Sequence, residues 1–320
     1  MKELKILGLL VIITGVIYWG VEPLAHSIMH PHVAPADYTF KDAVKPAPVL
    51  GDNEAEYQQQ LAAWQKEVDE TFPALSQRIA NGNAAKGQEI VTGNCVACHS
   101  MESQGFPAIM DDATLSSSYG VVPPDLSNIG YLYDSYYLFN FIKDPAVAAK
   151  VSHKFPPDGN KVHPMIAYKD ISSDDEIADM VAYFNSIAPS SMDDKAVFVE
   201  ACSRCHSVKY DHLAARSTTS DVNAYMGVRA IPDLSMIIRA RSLDYLHTFI
   251  NDPQKQLPGT SMPRVGLKEN TEKQVIAYLE SVGDSKKGER ESLGFGLMVF
   301  FAIMAVLAYL WKCNVWSRLH

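Results

Sequence analysis

The sequence predicts an all-α chain in which two tandem copies of one helical domain lie between apolar helices at the two ends. Three observations carry this expectation. Apolar residues recur at helical spacing in the segments that are not loops. A residue pattern in the first half returns in the second half at a fixed offset. Each end carries a long run of apolar residues without charge, of the kind that crosses a bilayer. With 320 residues there is room for two or three modest domains. Charged residues make up 20% and apolar ones 47%, the balance of a folded rather than a disordered chain. A net charge of -9 argues against a nucleic-acid partner and fits a surface that attracts basic proteins.

Residues 1–21 begin with Lys2 and Lys5 and run apolar from Ile6 to Val21. No small-x-small cleavage site follows; Glu22, Pro23 and His26 come next. A retained transmembrane anchor is favoured over a cleaved signal peptide, with its basic end cytoplasmic and Tyr18 and Trp19 at the far interface. Residues 22–81 read as a linker and a packing helix. Pro23, Pro31, Pro35, Pro46 and Pro48 make 22–52 a stiff, extended connector rather than a core. His26, His30 and His32 cluster there, but ligands need a held geometry and an irregular segment does not supply it. Asn53 to Glu70 is polar with Tyr57, Leu61, Trp64 and Val68 at helical spacing, a helix with one apolar stripe for the domain that follows.

The first domain is expected over 82–188. Ala84 to Ile90 reads as its lead helix, followed by a long loop with few periodic features. Tyr136 to Ile142 gives a middle helix that stops at Asp144-Pro145. Ser173 with Glu176 forms a capping box before a last helix with Ile177, Met180, Val181 and Phe184 on one face. The second domain is expected over 193–283, with helices at Asp193 to Ala201, Tyr245 to Ile250 and Thr271 to Ser281. The repeat is visible residue by residue: Pro124-Asp125-Leu126-Ser127 returns as Pro232-Asp233-Leu234-Ser235, and Asp144-Pro145 as Asp252-Pro253, both at an offset of 108. Residues 284–292 are charged and read as a hinge. Leu293 to Trp311 is 19 residues without a charge, about 28 Å of helix and enough for the hydrocarbon core. Lys312 and Arg318 after it favour a cytoplasmic C-terminus, although Lys286, Lys287 and Arg290 before it weaken that vote.

Each expected domain contains one chemical signature. Cys95-Val96-Ala97-Cys98-His99 and Cys202-Ser203-Arg204-Cys205-His206 both have two cysteines two residues apart, followed at once by histidine. This is the attachment pattern of a c-type haem. Each thiol adds across one porphyrin vinyl group, and the histidine lies where its imidazole can bind iron from one face. One such pentapeptide could be half of a zinc site; two, a domain apart, point to two covalently bound haems c. Such haems are attached outside the cytoplasm, so both domains are expected in the periplasm. Of five cysteines four are thereby used. Cys313 is left over near the C-terminal apolar run, either an inert thiol or a target for acylation.

The other face of each iron decides its use. A methionine ligand raises the potential and fills the coordination sphere, whereas an open position suits binding or activation of small molecules. Met262, in Leu257-Pro258-Gly259-Thr260-Ser261-Met262-Pro263, lies between the middle and last helices of the second copy. Met165 is its counterpart in the first, with His163 two residues away and His153 further off as rival ligands. The metal-ligand set is therefore His99, Met165, His206 and Met262. Met101, Met110, Met180, Met192, Met226 and Met236 read as packing residues. His212 and His247 read as surface or helix-face residues, and Arg204 as an exposed residue beside a haem edge.

A lead helix, haem motif, methionine loop and closing helix together resemble class I cytochrome c over 82–188 and 193–283. Two such domains with a C-terminal membrane anchor resemble the dihaem cytochrome c subunit of bacterial cytochrome bc1 complexes, in the form found in epsilonproteobacteria. The resemblance implies the cytochrome c1 role in a quinol:cytochrome c oxidoreductase of the respiratory chain. Electrons would arrive from a Rieske iron–sulfur subunit, next to cytochrome b, and leave to a soluble periplasmic cytochrome c. It also implies a dimeric complex in the bacterial inner membrane, with no bond-breaking catalysis by this subunit. The dihaem subunit of a cbb3-type oxidase shares the tandem domains but does not need the second membrane helix. A dihaem peroxidase needs an iron with an exchangeable face, whereas both loops here offer sulfur.

Overall fold

A computed structural model describes residues 2–29, 35–45, 47–48, 53–156 and 161–319. Among them the regular structure is all helical, with isolated β-bridges but no sheet. The chain opens with α1 (Lys2–Val16), a π-helical turn (Ile17–Val21) and α2 (Glu22–Met29). Pro23 therefore lies in a helix, where an extended connector was expected. Proline has no N–H for the carbonyl four residues back and its ring crowds that carbonyl; the wider π turn just before it relieves both. His30 and His32, with Pro31 and Pro46, lie outside the described residues, as does the His26 side chain.

The rest of the connector is not simply a spacer. Phe40 and Ala43 are buried in the main core. Tyr38 donates to the fully buried Glu272 (2.7 Å), which also meets His247 Nδ1 at 2.9 Å. His247 is thus a partner of a buried carboxylate. The helix expected to end at Glu70 continues as α3 (Glu54–Ala80), capped by the Asn53 side chain. Its stripe runs on through Phe72, Leu75 and Ile79, and their packing carries the helix through Pro73.

The first repeat contains α4 (Ala84–Asn94), α5 (Asp112–Tyr119), α6 (Ile129–Leu132), α7 (Ser135–Lys143), α8 (Pro145–Ala148) and α9 (Asp174–Ile187). The stretch after His99 thus has two short helices where a plain loop was expected. Asp111 caps α5, and Ser173 and Glu176 form the reciprocal capping box of α9. Helices α4 and α9 cross at Gly87, where an added Cβ would lie 1.9 Å from the Asp179 carbonyl oxygen and 2.9 Å from Tyr183 Cβ. Gly87→Ala is expected to cost about 1–3 kcal/mol by overpacking, although alanine is intrinsically the better helix former by about 1 kcal/mol. A raised denaturation midpoint in that variant, as helix propensity alone would give, would rule out this crossing.

The second repeat follows with α10 (Asp194–Ala201), α11 (Thr219–Met226), α12 (Ile237–Ala240), α13 (Leu243–Asn251), α14 (Pro253–Gln256) and α15 (Glu269–Gly283). Phe198 of α10 packs on Tyr278 of α15 with ring centroids 4.8 Å apart. One hydrophobic core runs through both repeats. Thr271 Oγ1 donates to the Leu132 carbonyl (2.7 Å), the Asp134 N–H to Gly266 (3.0 Å), and Arg216 pairs with Asp112 through two bonds of 2.8 and 2.9 Å.

The last helix, α16 (Lys287–Leu319), starts inside the charged segment expected as a hinge. Only Asp284, Ser285 and Lys286 separate it from α15. Arg290 pairs with Asp284 (2.6 Å) and Lys286 with Glu289 (2.6 Å), so these charges brace the start of the helix. Two helical stretches, Lys5–Ala25 and Lys287–Arg318, are long and apolar enough to cross a membrane. The second, 32 residues long, measures about 48 Å, against a hydrocarbon core of about 30 Å. Cys313 is exposed on it.

Candidate haem attachment sites

Each cysteine–histidine motif begins where a lead helix ends. Cys95 is the C-cap of α4 and Cys202 the C-cap of α10. From there both segments turn alike. The N–H groups of Cys98 and His99 reach the Cys95 carbonyl (3.2 and 3.0 Å), and those of Cys205 and His206 reach Cys202 (3.1 and 3.0 Å). The two thiols and the imidazole of each motif thus come from one tight turn.

The histidines are held in the same way. His99 Nδ1 lies 2.8 Å from the Pro124 carbonyl oxygen and His206 Nδ1 lies 3.0 Å from that of Pro232. A carbonyl only accepts, so Nδ1 carries the proton and Nε2 is the nitrogen left for a metal. The repeated Pro-Asp-Leu-Ser stretch builds this support. Asp125 accepts from the N–H of Ser127 (2.8 Å) and of Glu102 (3.1 Å); Asp233 accepts from Ser235 (3.1 Å) and Lys209 (3.0 Å). Each aspartate ties the proline loop to the segment just past the histidine. As sequence, these residues signalled only the repeat; their part in holding the histidine emerges in three dimensions.

Burial, with the Arg204 guanidinium adding to it, pushes the His99 imidazole below its ordinary value, and the bond to Pro124 only partly opposes this. Burial also pushes His206 down against the bond to Pro232. Both rings are therefore biased to the neutral form that binds metals. Burial raises the thiols, Cys95 to about 11 and Cys202 to about 12, so these are not thiolate nucleophiles. Among the described residues no three His, Cys, Asp or Glu side chains converge as a metal cluster, whereas structural zinc takes four protein ligands. Paired thiols from one tight turn beside a neutral imidazole with Nε2 left for a metal fit a covalently attached haem better.

The two motifs are neighbours. The Val122 N–H, two residues before Pro124, donates to Ser217 Oγ (2.9 Å), and the Ser217 N–H donates to the Arg204 carbonyl (3.0 Å). Arg204 is half-buried, its positive charge acts on Tyr133 and His99 of the first repeat, and its Nε has no partner. This corrects the expectation of an exposed edge residue. Its neighbours lie some seventy to a hundred positions away in the chain, and no local pattern announces them.

Met165 and Met262 are both half-buried in loops before α9 and α15. His163 turns back on its own loop, with Nδ1 3.2 Å from the Met165 backbone nitrogen, and packs edge-on to Phe155 with ring centroids 5.1 Å apart. His153 is exposed on a short helical turn. Met101 and Met180 are buried core residues and Met192 packs on that core.

An all-α repeat whose histidine follows a paired-cysteine turn and rests on a proline carbonyl is the architecture of a c-type haem domain. Residues 84–188 match the Cytochrome c family. A cytochrome c domain therefore occupies the first repeat, and it implies covalently bound haem c and haem-based electron transfer. No solved structure matches the chain.

Proposed function

We propose that the chain is a membrane-anchored dihaem c-type cytochrome. It takes electrons from the Rieske iron–sulfur subunit of a quinol:cytochrome c reductase and passes them to a soluble periplasmic cytochrome c. The observation that carries the second haem is the carbonyl-held His206, which duplicates His99 although the family match ends at residue 188. In this reading Cys95, Cys98, His99 and Met165 hold one haem, and Cys202, Cys205, His206 and Met262 hold the other. The bound haems supply one-electron chemistry. The polypeptide would set their potentials and positions: the Pro124 and Pro232 carbonyls orient the imidazoles, Met165 and Met262 would supply the sulfur ligands, and the shared core keeps the two motifs adjacent.

Haem attachment outside the cytoplasm, with a candidate span at each end, supports periplasmic repeats and cytoplasmic termini. Cytochrome b and the Rieske protein are the expected partners, in a dimeric complex. The second candidate span favours this assembly over a cbb3-type oxidase, whose dihaem subunit does not need it. Purification in mild detergent tests both levels. Two haems per chain, with loss of one on replacing Cys202 and Cys205 by serine, is the expected result. A haem content untouched by those replacements removes the second haem. Co-purification of a copper–haem oxidase in place of cytochrome b and a Rieske protein removes the reductase assignment.

A further inference from the structure

The loop that carries Met165 is fastened from the other repeat. The Tyr225 hydroxyl, at the end of α11, donates to the Val162 carbonyl. Lys161 Nζ donates to the neighbouring Ala224 carbonyl at 3.1 Å. The Tyr225 ring also packs on Phe155, centroids 5.6 Å apart, and Phe155 in turn supports His163 beside Met165. On the same helix end the Met226 carbonyl accepts from Ser261 Oγ (2.9 Å), one residue before Met262. Three consecutive residues, Ala224 to Met226, thus hold both methionine loops.

This helix end is itself fixed to the first repeat. Ser116 Oγ of α5 donates to Asp221 of α11 at 2.6 Å. Gly120 ends α5 with φ +77°, and a Cβ there would stand 2.4 Å from Tyr225 Cβ. A glycine is needed both for that backbone conformation and for the room the tyrosine occupies. Burial pushes the Tyr225 phenol up to about 12, so it remains a protonated donor throughout the ordinary pH range.

We infer that the last turn of α11 is a common mount for the two sulfur-bearing loops, and that Tyr225 is a positioning residue that holds Met165 from the second repeat. This rests on the reading of Met165 and Met262 as axial ligands. The strength of the first iron–sulfur bond then depends on the second repeat, and neither iron is set by its own repeat alone.

The test uses the full-length holoprotein in detergent, oxidised, with imidazole titrated as a competing axial ligand. The far-red sulfur-to-iron charge-transfer band reports each displacement, and Met165→Ala and Met262→Ala assign the two phases. Tyr225→Phe keeps the ring and removes only the donor. It is expected to tighten imidazole binding at the first haem roughly fivefold, the effect of losing one neutral hydrogen bond, with little change at the second. Lys161→Met, at an exposed position, gives a smaller change of the same sign, and Ser261→Ala gives the matching change at the second haem. A wild-type protein without the far-red band overturns the axial-ligand reading itself. A wild-type band combined with unaltered first-haem affinity in both Tyr225→Phe and Lys161→Met overturns the mount while leaving the ligands in place. Tightening confined to the second haem in Tyr225→Phe also overturns it.

Discussion

On the proposed dihaem reading, replacing Met262 by alanine is expected to open one face of the second iron and to lower its midpoint potential by a few tenths of a volt, within the span of about 0.8 V over which axial ligands set haem potentials. The thioether stabilises ferrous iron, so removing it favours the ferric state. Alanine has no atom that can reach the metal, and the loop around it remains fastened by Arg264, Ser261 and Thr260, whose Oγ1 accepts from the Met262 N–H at 3.3 Å. The variant should therefore keep both haems and gain one site for carbon monoxide when reduced. On the proposed ligand set, with Met165 and Met262 as the sulfur ligands, the wild-type protein should bind none. A midpoint potential equal to that of wild type, or carbon monoxide binding that is already present before the substitution, would remove Met262 from the coordination sphere. The same measurement on Met165→Ala separates sulfur from His163 at the first iron, because a histidine ligand there would leave the potential unmoved.

The parts of the molecule that could be read from the sequence are those that short-range physics decides. Helices α7, α9, α13 and α15 follow apolar spacing, and the Ser173–Glu176 box marks the start of α9 directly. The cysteine–histidine motifs are legible because the chemistry of attachment demands adjacent residues. What was hidden depends on packing between distant segments. The helix read as ending at Glu70 runs on to Ala80 because Phe72, Leu75 and Ile79 pack against the core. The charges at 284–292 look like a hinge until they pair along the start of α16. Phe40 looks like connector until it is found under the Arg264 guanidinium, 5.5 Å from its ring centroid. Likewise the candidate sulfur ligands could be placed by order along the chain, but their supports could not. Tyr225 is sixty positions from Met165, and the Arg204 charge acts on His99 only because the repeats share a core.

Arg264 gives the largest expected effect on stability, and it lies two residues from Met262. Its side chain is 3% exposed. The guanidinium donates to Asp42 (2.5 and 3.1 Å), to Asp252 (3.0 Å) and to the Asn251 carbonyl (3.1 Å). Its backbone N–H donates to Ala149 (2.9 Å), and its carbonyl accepts from the Tyr137 hydroxyl (2.6 Å). Three parts of the chain meet here: the connector through Asp42, the first repeat through Ala149 and Tyr137, and the second through Arg264 itself. Lys150 Nζ is the other cation, 2.5 Å from both Asp42 and Asp252. Arg264→Met leaves the buried Asp252 and the part-buried Asp42 to a single ammonium, and breaking a buried pair from one side costs about 3–5 kcal/mol. Burial alone would raise the Asp42 pKa, but Arg264 and Lys150 outweigh it and hold the carboxyl well below the usual range. A carboxylate lowered in this way adds stability above its unfolded pKa of about 4 and loses it as pH falls towards the folded value. The gap in unfolding free energy between wild type and Arg264→Met should therefore be full near neutrality and shrink below about pH 4. Adding Asp42→Asn to the variant should recover part of the loss at neutral pH, because it removes the carboxylate left without its partner. A gap that stays constant from neutrality to pH values well below the carboxylate range would mean that the charge pair contributes nothing, and that Arg264 serves only as packing between the connector and the second repeat.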